Sequence, residues 1–131
     1  MLDASAVVDY LQAGLGAGKV EQLLADAFRQ QLLLYISVLN LAEVYYLTWQ
    51  RAGEEKARQT VASLSRLPVQ IIAVDLPQAL KAGELKAVHK IPYVDCVAAA
   101  LALRQQATLV TSDRDFEKLG GHFRILWIAR S

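Results

Sequence analysis

Several carboxylates in this chain stand where folding alone does not call for them. Glu43 is the only charged residue between Arg29 and Arg51, inside the apolar run VLNLAEVYYLTW. Asp95 is the only charged residue between Lys90 and Arg104, inside IPYVDCVAAALAL. Asp113 and Asp115 follow an abrupt stop of the β-forming stretch Thr108, Leu109, Val110, Thr111, and Asp3 closes the opening Met1-Leu2-Asp3. A buried carboxylate without a partner is costly and takes up a proton in preference to staying charged. Glu43 and Asp95 each therefore need a cation, a hydrogen-bond network or a metal. Gathered in one place all these acids would repel one another, and a divalent cation removes that penalty; hard oxygen donors suit Mg²⁺ or Mn²⁺. The chemistry expected of such a cluster is metal-assisted phosphodiester hydrolysis, with water activated and the leaving oxygen neutralised. No Cys/His zinc constellation, phosphate-binding Gly-x-x-x-x-Gly-Lys loop or Gly-x-Ser-x-Gly elbow competes with it.

Each acid also has a plainer reading. Asp3 and Asp95 are placed to cap helices, and Asp113 is an ordinary turn residue. Glu43 is harder to dismiss, because it falls mid-helix with no basic residue near it in sequence. Ser5, two residues after Asp3, offers a hydroxyl that could orient the Asp3 carboxylate.

The elements that must position these residues follow from periodicity. Helical apolar spacing covers Ala4–Leu11, and Gly14, Gly16 and Gly18 are expected to break it. Val20, Leu23, Leu24, Ala27 and Phe28 mark an amphipathic helix over Lys19–Gln30. Leu32–Ile36 reads as a buried strand, and Ser37 as the cap of a helix over Val38–Arg51. Gly53 separates that helix from a polar one, Glu54–Leu67, in which Arg58 and Glu54 are suitably spaced to pair. A strand at Val69–Val74, a helix at Pro77–His89 signalled by Asp75, and a helix at Tyr93–Gln105 opened by Pro92 come next. Thr108–Ser112 and Ile125–Ile128 complete the strands. This alternation predicts a three-layer α/β/α sandwich with a mostly parallel central sheet. Acids at strand carboxyl ends would then lie where open α/β sheets bind ligands.

With 131 residues the chain reads as a single domain, 1–131, large enough for a real core. Its 54% hydrophobic and 21% charged residues are globular values. The longest apolar run, Cys96–Leu103, has eight residues, against the ~18 of a spanning helix. No leader is expected, and the lone Cys96 fits a reducing, cytoplasmic setting. A net charge of +1 argues against generic electrostatic nucleic-acid binding but leaves room for a local basic lip.

The segments LDASAVV, SVLNLAEV, IPYVDCVAAALA and LVTSDRDFEKL together resemble, in order and spacing across the whole chain, the acidic motifs of PIN domains. They are most similar to the VapC-type ribonuclease toxins of prokaryotic toxin–antitoxin pairs. The resemblance implies that Asp3, Glu43, Asp95 and Asp113 form the metal site, with Asp115 as a frequent fifth member acting through the metal's water shell. It implies supporting hydroxyls at Ser5 and Thr111, Mg²⁺ or Mn²⁺ as cofactor, an RNA substrate, a homodimer and a tightly bound cognate antitoxin. The chain departs from the pattern in its nearly absent first strand and in Cys96, where the family usually has alanine. Asp113 is expected to matter more than Asp115.

Other features have two readings. Leu41, Tyr45 and Trp49, with Tyr46 beside them, form a stripe expected to pack in the core; the other reading is one wall of a groove for an antitoxin helix. Lys81, Lys86, His89 and Lys90 read as a solvated helix face, or as a lip for an RNA backbone. Arg114 balances the neighbouring acids or touches a phosphate, and neither His89 nor His122 is given a role. Two other functional classes stand beside the metal-dependent endoribonuclease. One is a PIN-like protein-binding module with weak catalysis; within the nuclease class itself, RNA maturation without an antitoxin is the alternative role. The other is a phosphatase or phosphoacceptor domain, disfavoured because Asp3 is followed by Ala4 and Ser5 rather than by a second acid.

Overall fold

A computed structural model describes residues 1–129. Its elements are helices α1 (Ala4–Leu11) and α2 (Ala17–Phe28), strand β1 (Leu34–Ser37), helices α3 (Val38–Ala52) and α4 (Glu54–Leu64), and strand β2 (Val69–Ile72). Helices α5 (Leu76–His89) and α6 (Tyr93–Gln105), strand β3 (Leu109–Thr111), a 3₁₀ turn over Arg114–Leu119 and strand β4 (Ile125–Trp127) follow. Arg130 and Ser131, the end of the expected domain, lie outside the described residues.

β1 pairs with β2 and β3 with β4, both in parallel. Leu2 joins the two halves, bridging in parallel to Ile36 on one side and Val110 on the other. The sheet therefore runs β2, β1, Leu2, β3, β4. The first strand was expected to be short, and it is reduced to this one bridging residue. The chain moves outward from Leu2 to β1 and β2, then crosses to β3 and β4 on the opposite flank. That reversal makes a crevice beside the Leu2 segment at the carboxyl ends of the strands, the usual ligand position in such sheets.

Side chains alternate across the sheet, as the two-residue strand period requires. Leu2, Leu34, Ile36 and Val110 pack with Val7, Val20 and Val44 of α1, α2 and α3. Met1, Tyr35 and Leu109 face the other way, onto Leu85 of α5 and Val97 and Leu101 of α6. Helices thus cover both faces, giving the expected three layers. Among the described residues no helix is long and apolar enough to cross a membrane.

Local signals act as the sequence suggests. Ser37 Oγ accepts the Asn40 N–H at 2.9 Å to cap α3, Asp75 Oδ1 accepts the Gln78 N–H at 3.0 Å to cap α5, and Arg58 pairs with Glu54 at 2.8 Å. Other expectations need correction. Gly18 does not break a helix; it lies inside α2, which begins at Ala17. β1 starts at Leu34 rather than Leu32, with Leu33 65% exposed, and α4 ends at Leu64, before the expected Leu67. The α3 stripe is core only in part: Leu41 packs on the core and Tyr45 is half-buried. Tyr45 and Trp49 stack edge to face at 5.7 Å, but Trp49 and Tyr46 are exposed. The α5 lysine face is solvated, with Lys81 reaching Glu84 at 3.5 Å.

Candidate active site

The crevice at the strand ends is a cleft of about 340 Å³ whose lining includes Asp3, Glu43, Asp95 and Asp113. Four separate elements supply them. Asp3 follows the bridging Leu2, Glu43 sits on the inner flank of α3, Asp95 is in the first turn of α6, and Asp113 leaves β3. Asp115 belongs to the same group, since Asp95, Asp113 and Asp115 each bring a carboxylate oxygen within 4.8 Å of the others.

Asp3 is 2% exposed and held from three directions. Its Oδ1 accepts the Ala6 N–H at 2.9 Å, so it does cap α1, and the Ser5 hydroxyl at 2.8 Å. Its Oδ2 accepts the Thr111 hydroxyl at 2.5 Å. Ser5 Oγ and Thr111 Oγ1 in turn accept the N–H groups of Ser112 and Asp113, at 3.0 and 2.9 Å. A hydroxyl can donate once and accept as well, so these two side chains tie the exit of β3 to Asp3. Burial pushes the Asp3 carboxyl up to about 6, against the lowering effect of its hydrogen bonds from Thr111, Ala6 and Ser5.

Asp95 is the unusual member. It does not cap α6: Pro92 occupies that position, and the Asp95 carboxylate is aimed elsewhere. It is 5% exposed and its Oδ2 is buried with no hydrogen-bond partner. Burial, then the charges of Asp113, Asp3, Glu43 and Asp115, push its carboxyl up to about 8. Glu43, which sequence alone makes a buried acid, is only half-buried. Burial raises its pKa, with the Tyr46 hydroxyl, 3.4 Å from Oε2, opposing and the Asp113 charge adding to the rise. Asp113 Oδ1 accepts the Asp115 N–H at 2.9 Å, and Asp115 is drawn outward by Lys118 at 3.7 Å.

An orphaned buried carboxylate oxygen, raised pKa values and an all-oxygen donor set fit a hard divalent cation. Among the described residues Lys118 pairs with Asp115, and the mutual repulsion of the other acids is left uncompensated. A cation among Asp95, Asp113 and Asp115, with Asp3 and Glu43 on the flanks, would offset it.

The cleft also contains residues that sequence reasoning passed over: Asp9, Gln12, Leu47 and Arg51. Spacing could have found them. Ser5, Asp9 and Gln12 follow one face of α1, and Glu43, Leu47 and Arg51 recur every four residues along α3. His89 binds the Lys118 carbonyl at 3.1 Å, and neither histidine lines the cleft.

The sequence profile of the PIN domain matches residues 1–122. Among solved structures, VapBC2 from Rickettsia felis bound to a promoter DNA fragment is 21% identical, with 98% of each chain covered and a TM-score of 0.77. DNA-bound VapBC from Salmonella typhimurium is 20% identical, covering 98% of this chain and 97% of that one, with a TM-score of 0.74. VapC20 of Mycobacterium tuberculosis, a toxin that cleaves the sarcin–ricin loop, is 22% identical over 91% of this chain and 93% of its own, with a TM-score of 0.73. At these identities the likeness is one of fold. A sequence search among curated proteins finds no match.

Proposed function

This chain belongs to the PIN domain family, and from that premise we propose that it is a metal-dependent endoribonuclease, the toxin of a VapBC-type pair. The observation that carries the reading is Asp95: a carboxylate with one oxygen buried and unbonded, among four other acids from different parts of the chain. A stabilising structural acid would be capped, paired or solvated. One facing Asp113 and Asp115 across less than 4.8 Å costs stability unless a cation joins them.

In this reading Asp95 and Asp113, with Asp3 and Glu43, would hold Mg²⁺ or Mn²⁺, and Asp115, whose carboxylate lies within 4.8 Å of those of Asp95 and Asp113, would assist. Such an ion activates water at neutral pH and neutralises charge developing on phosphoryl oxygens. Ser5 and Thr111 fix the Asp3 carboxylate in one orientation and hold the β3 exit, which carries Asp113, against it. With its carboxyl pushed up to about 8, Asp95 favours the protonated form at neutral pH, and metal binding there would be linked to release of that proton. The 1–131 chain acts as one nuclease domain, in the cytoplasm, as a homodimer with a cognate antitoxin. The antitoxin is supported by the neighbours in fold, which are toxin–antitoxin complexes.

The test is RNA cleavage in Mg²⁺ or Mn²⁺ by the wild type and by Asp95→Asn, with metal binding measured by calorimetry. Cleavage and metal uptake should both be lost in the variant. Undiminished cleavage by Asp95→Asn refutes the reading.

A further inference from the structure

Among the described residues, the acidic cleft has one cation in its lining. Arg51, in the last turn of α3, faces the same space as Asp3, Asp9, Glu43, Asp95 and Asp113. Its surroundings would be expected to give it a carboxylate partner, yet among the described residues it has no hydrogen bond or ion pair. Four other arginines are engaged, Arg58 with Glu54, Arg104 with Asp75, Arg29 with Asp26 and Arg124 with the Gln106 carbonyl; Arg66 and Arg114 are as free as Arg51, but neither lines the cleft.

The reason is local. Glu54 and Glu55 follow Arg51 by three and four residues, the spacing of helical ion pairs. Gly53, with φ of 91°, turns the chain between them, ending α3 and starting α4 in a new direction. Glu54 then pairs with Arg58 and Glu55 accepts from Gln59. Arg51 is left with a free guanidinium at the rim. It lies eight residues, about 12 Å of helix axis, beyond Glu43, and helical side chains lean back toward the N-terminus, which tilts it toward the acids.

We infer that Arg51 is a phosphate anchor: its guanidinium binds the backbone phosphate adjacent to the one cleaved. The inference rests on the nuclease reading and names how that site takes its strand. A cation among Asp95, Asp113 and Asp115 offsets charge only around itself. A polyanion crossing the outer cleft still meets Asp9 and Glu43, and an unpaired guanidinium there supplies a two-pronged contact shaped for phosphate. A backbone contact of this kind positions the strand without reading its bases.

The experiment uses the full chain and a short fluorescein-labelled single-stranded RNA of mixed sequence. Binding is followed by anisotropy in Ca²⁺ over a range of salt concentrations, and hydrolysis of the same RNA in Mn²⁺. Arg51→Ala should bind about tenfold more weakly, as expected for loss of one charge-assisted contact. Its log K against log salt slope should fall by about 0.7, the share of one phosphate on a single strand. KM should rise with kcat nearly unchanged, since the contact is present before and during reaction. Arg51→Lys should keep the slope and recover part of the affinity. A methylphosphonate moved along the RNA should weaken wild-type binding at one position and have no further effect there in Arg51→Ala. An unchanged affinity and slope in Arg51→Ala, or a fall in kcat alone, overturns the anchor while leaving the nuclease intact. Wild-type protein that neither binds nor cleaves the RNA overturns both.

Discussion

Thr111 Oγ1 donates to Asp3 Oδ2 at 2.5 Å across 108 positions of sequence, and the same hydroxyl accepts the Asp113 N–H at 2.9 Å. One side chain thereby fixes the relation between two acids from neighbouring strand ends. Thr111→Val keeps the shape and removes both bonds, leaving a part-buried N–H and a buried carboxylate oxygen short of a partner. The expected loss is about 1–3 kcal/mol of stability, read by urea denaturation in chelator. Thr111→Ser should recover most of it. A valine variant as stable as the wild type would show that the hydroxyl is not holding the site together.

The metal-free protein should lose stability as pH rises. Asp95 and Asp3 have folded-state values of about 8 and about 6, both above the ordinary 3.8. Between 3.8 and the folded value the folded form keeps a proton that the unfolded form has released. Stability contributed by the protonated group is therefore complete below 3.8 and declines up to about 8. Asp95→Asn, which cannot ionise, should flatten the upper part of this decline. At pH 8 in chelator it should melt about 4 °C above the wild type, roughly what 1 kcal/mol is worth in a domain of this size. A thermal melt series from pH 5 to 9 checks the direction, and a wild type that stabilises as pH rises is the contrary result.

Mn²⁺ titration by calorimetry should rank the acids. Asp95→Asn and Asp113→Asn should lower affinity by more than about 100-fold, the upper range for losing only an outer partner. Ser5→Ala, which removes such an outer partner of Asp3, should cost about tenfold. Asp115→Asn should fall between, because Asp115 is drawn toward Lys118 and its side chain is 41% exposed. If Asp115→Asn proves the most damaging, the ion sits farther along the 3₁₀ turn than the Asp95–Asp113 pair implies.

Gly16 should not tolerate even one methyl group. A Cβ there would lie 2.7 Å from both Asp9 Oδ2 and Ile128 Cδ1. Gly16→Ala should destabilise by about 1–3 kcal/mol through overpacking, measured by denaturant midpoint. Ile128→Val, which removes Cδ1 but keeps Cγ1, 2.8 Å from the added carbon, should return part of that loss. Full stability of Gly16→Ala alone would mean that the α1–α2 turn moves freely away from β4.

The sequence by itself determined whatever depends on neighbours along the chain. Helix period, the Ser37 and Asp75 caps and the alternation of strands with helices are local preferences, and each is present in the fold. Two isolated acids in apolar helices were also legible as candidates, though only Asp95 is buried and Glu43 is half-buried. What lay outside local reach was where each side chain points once the layers are packed. Asp95 reads as a possible cap until Pro92 is seen in that position and its own Oδ2 is found buried and unbonded. Trp49 and Tyr46 follow a core-like stripe, yet both are exposed while Leu41 of the same stripe packs on the core. Arg51 looks like an ordinary solvated arginine until the turn at Gly53 removes its natural partners and α1 closes the opposite wall of the cleft. Spacing fixes geometry only within one element; across elements, direction is set by sheet order and helix packing, and that is what brought these charges to face one another.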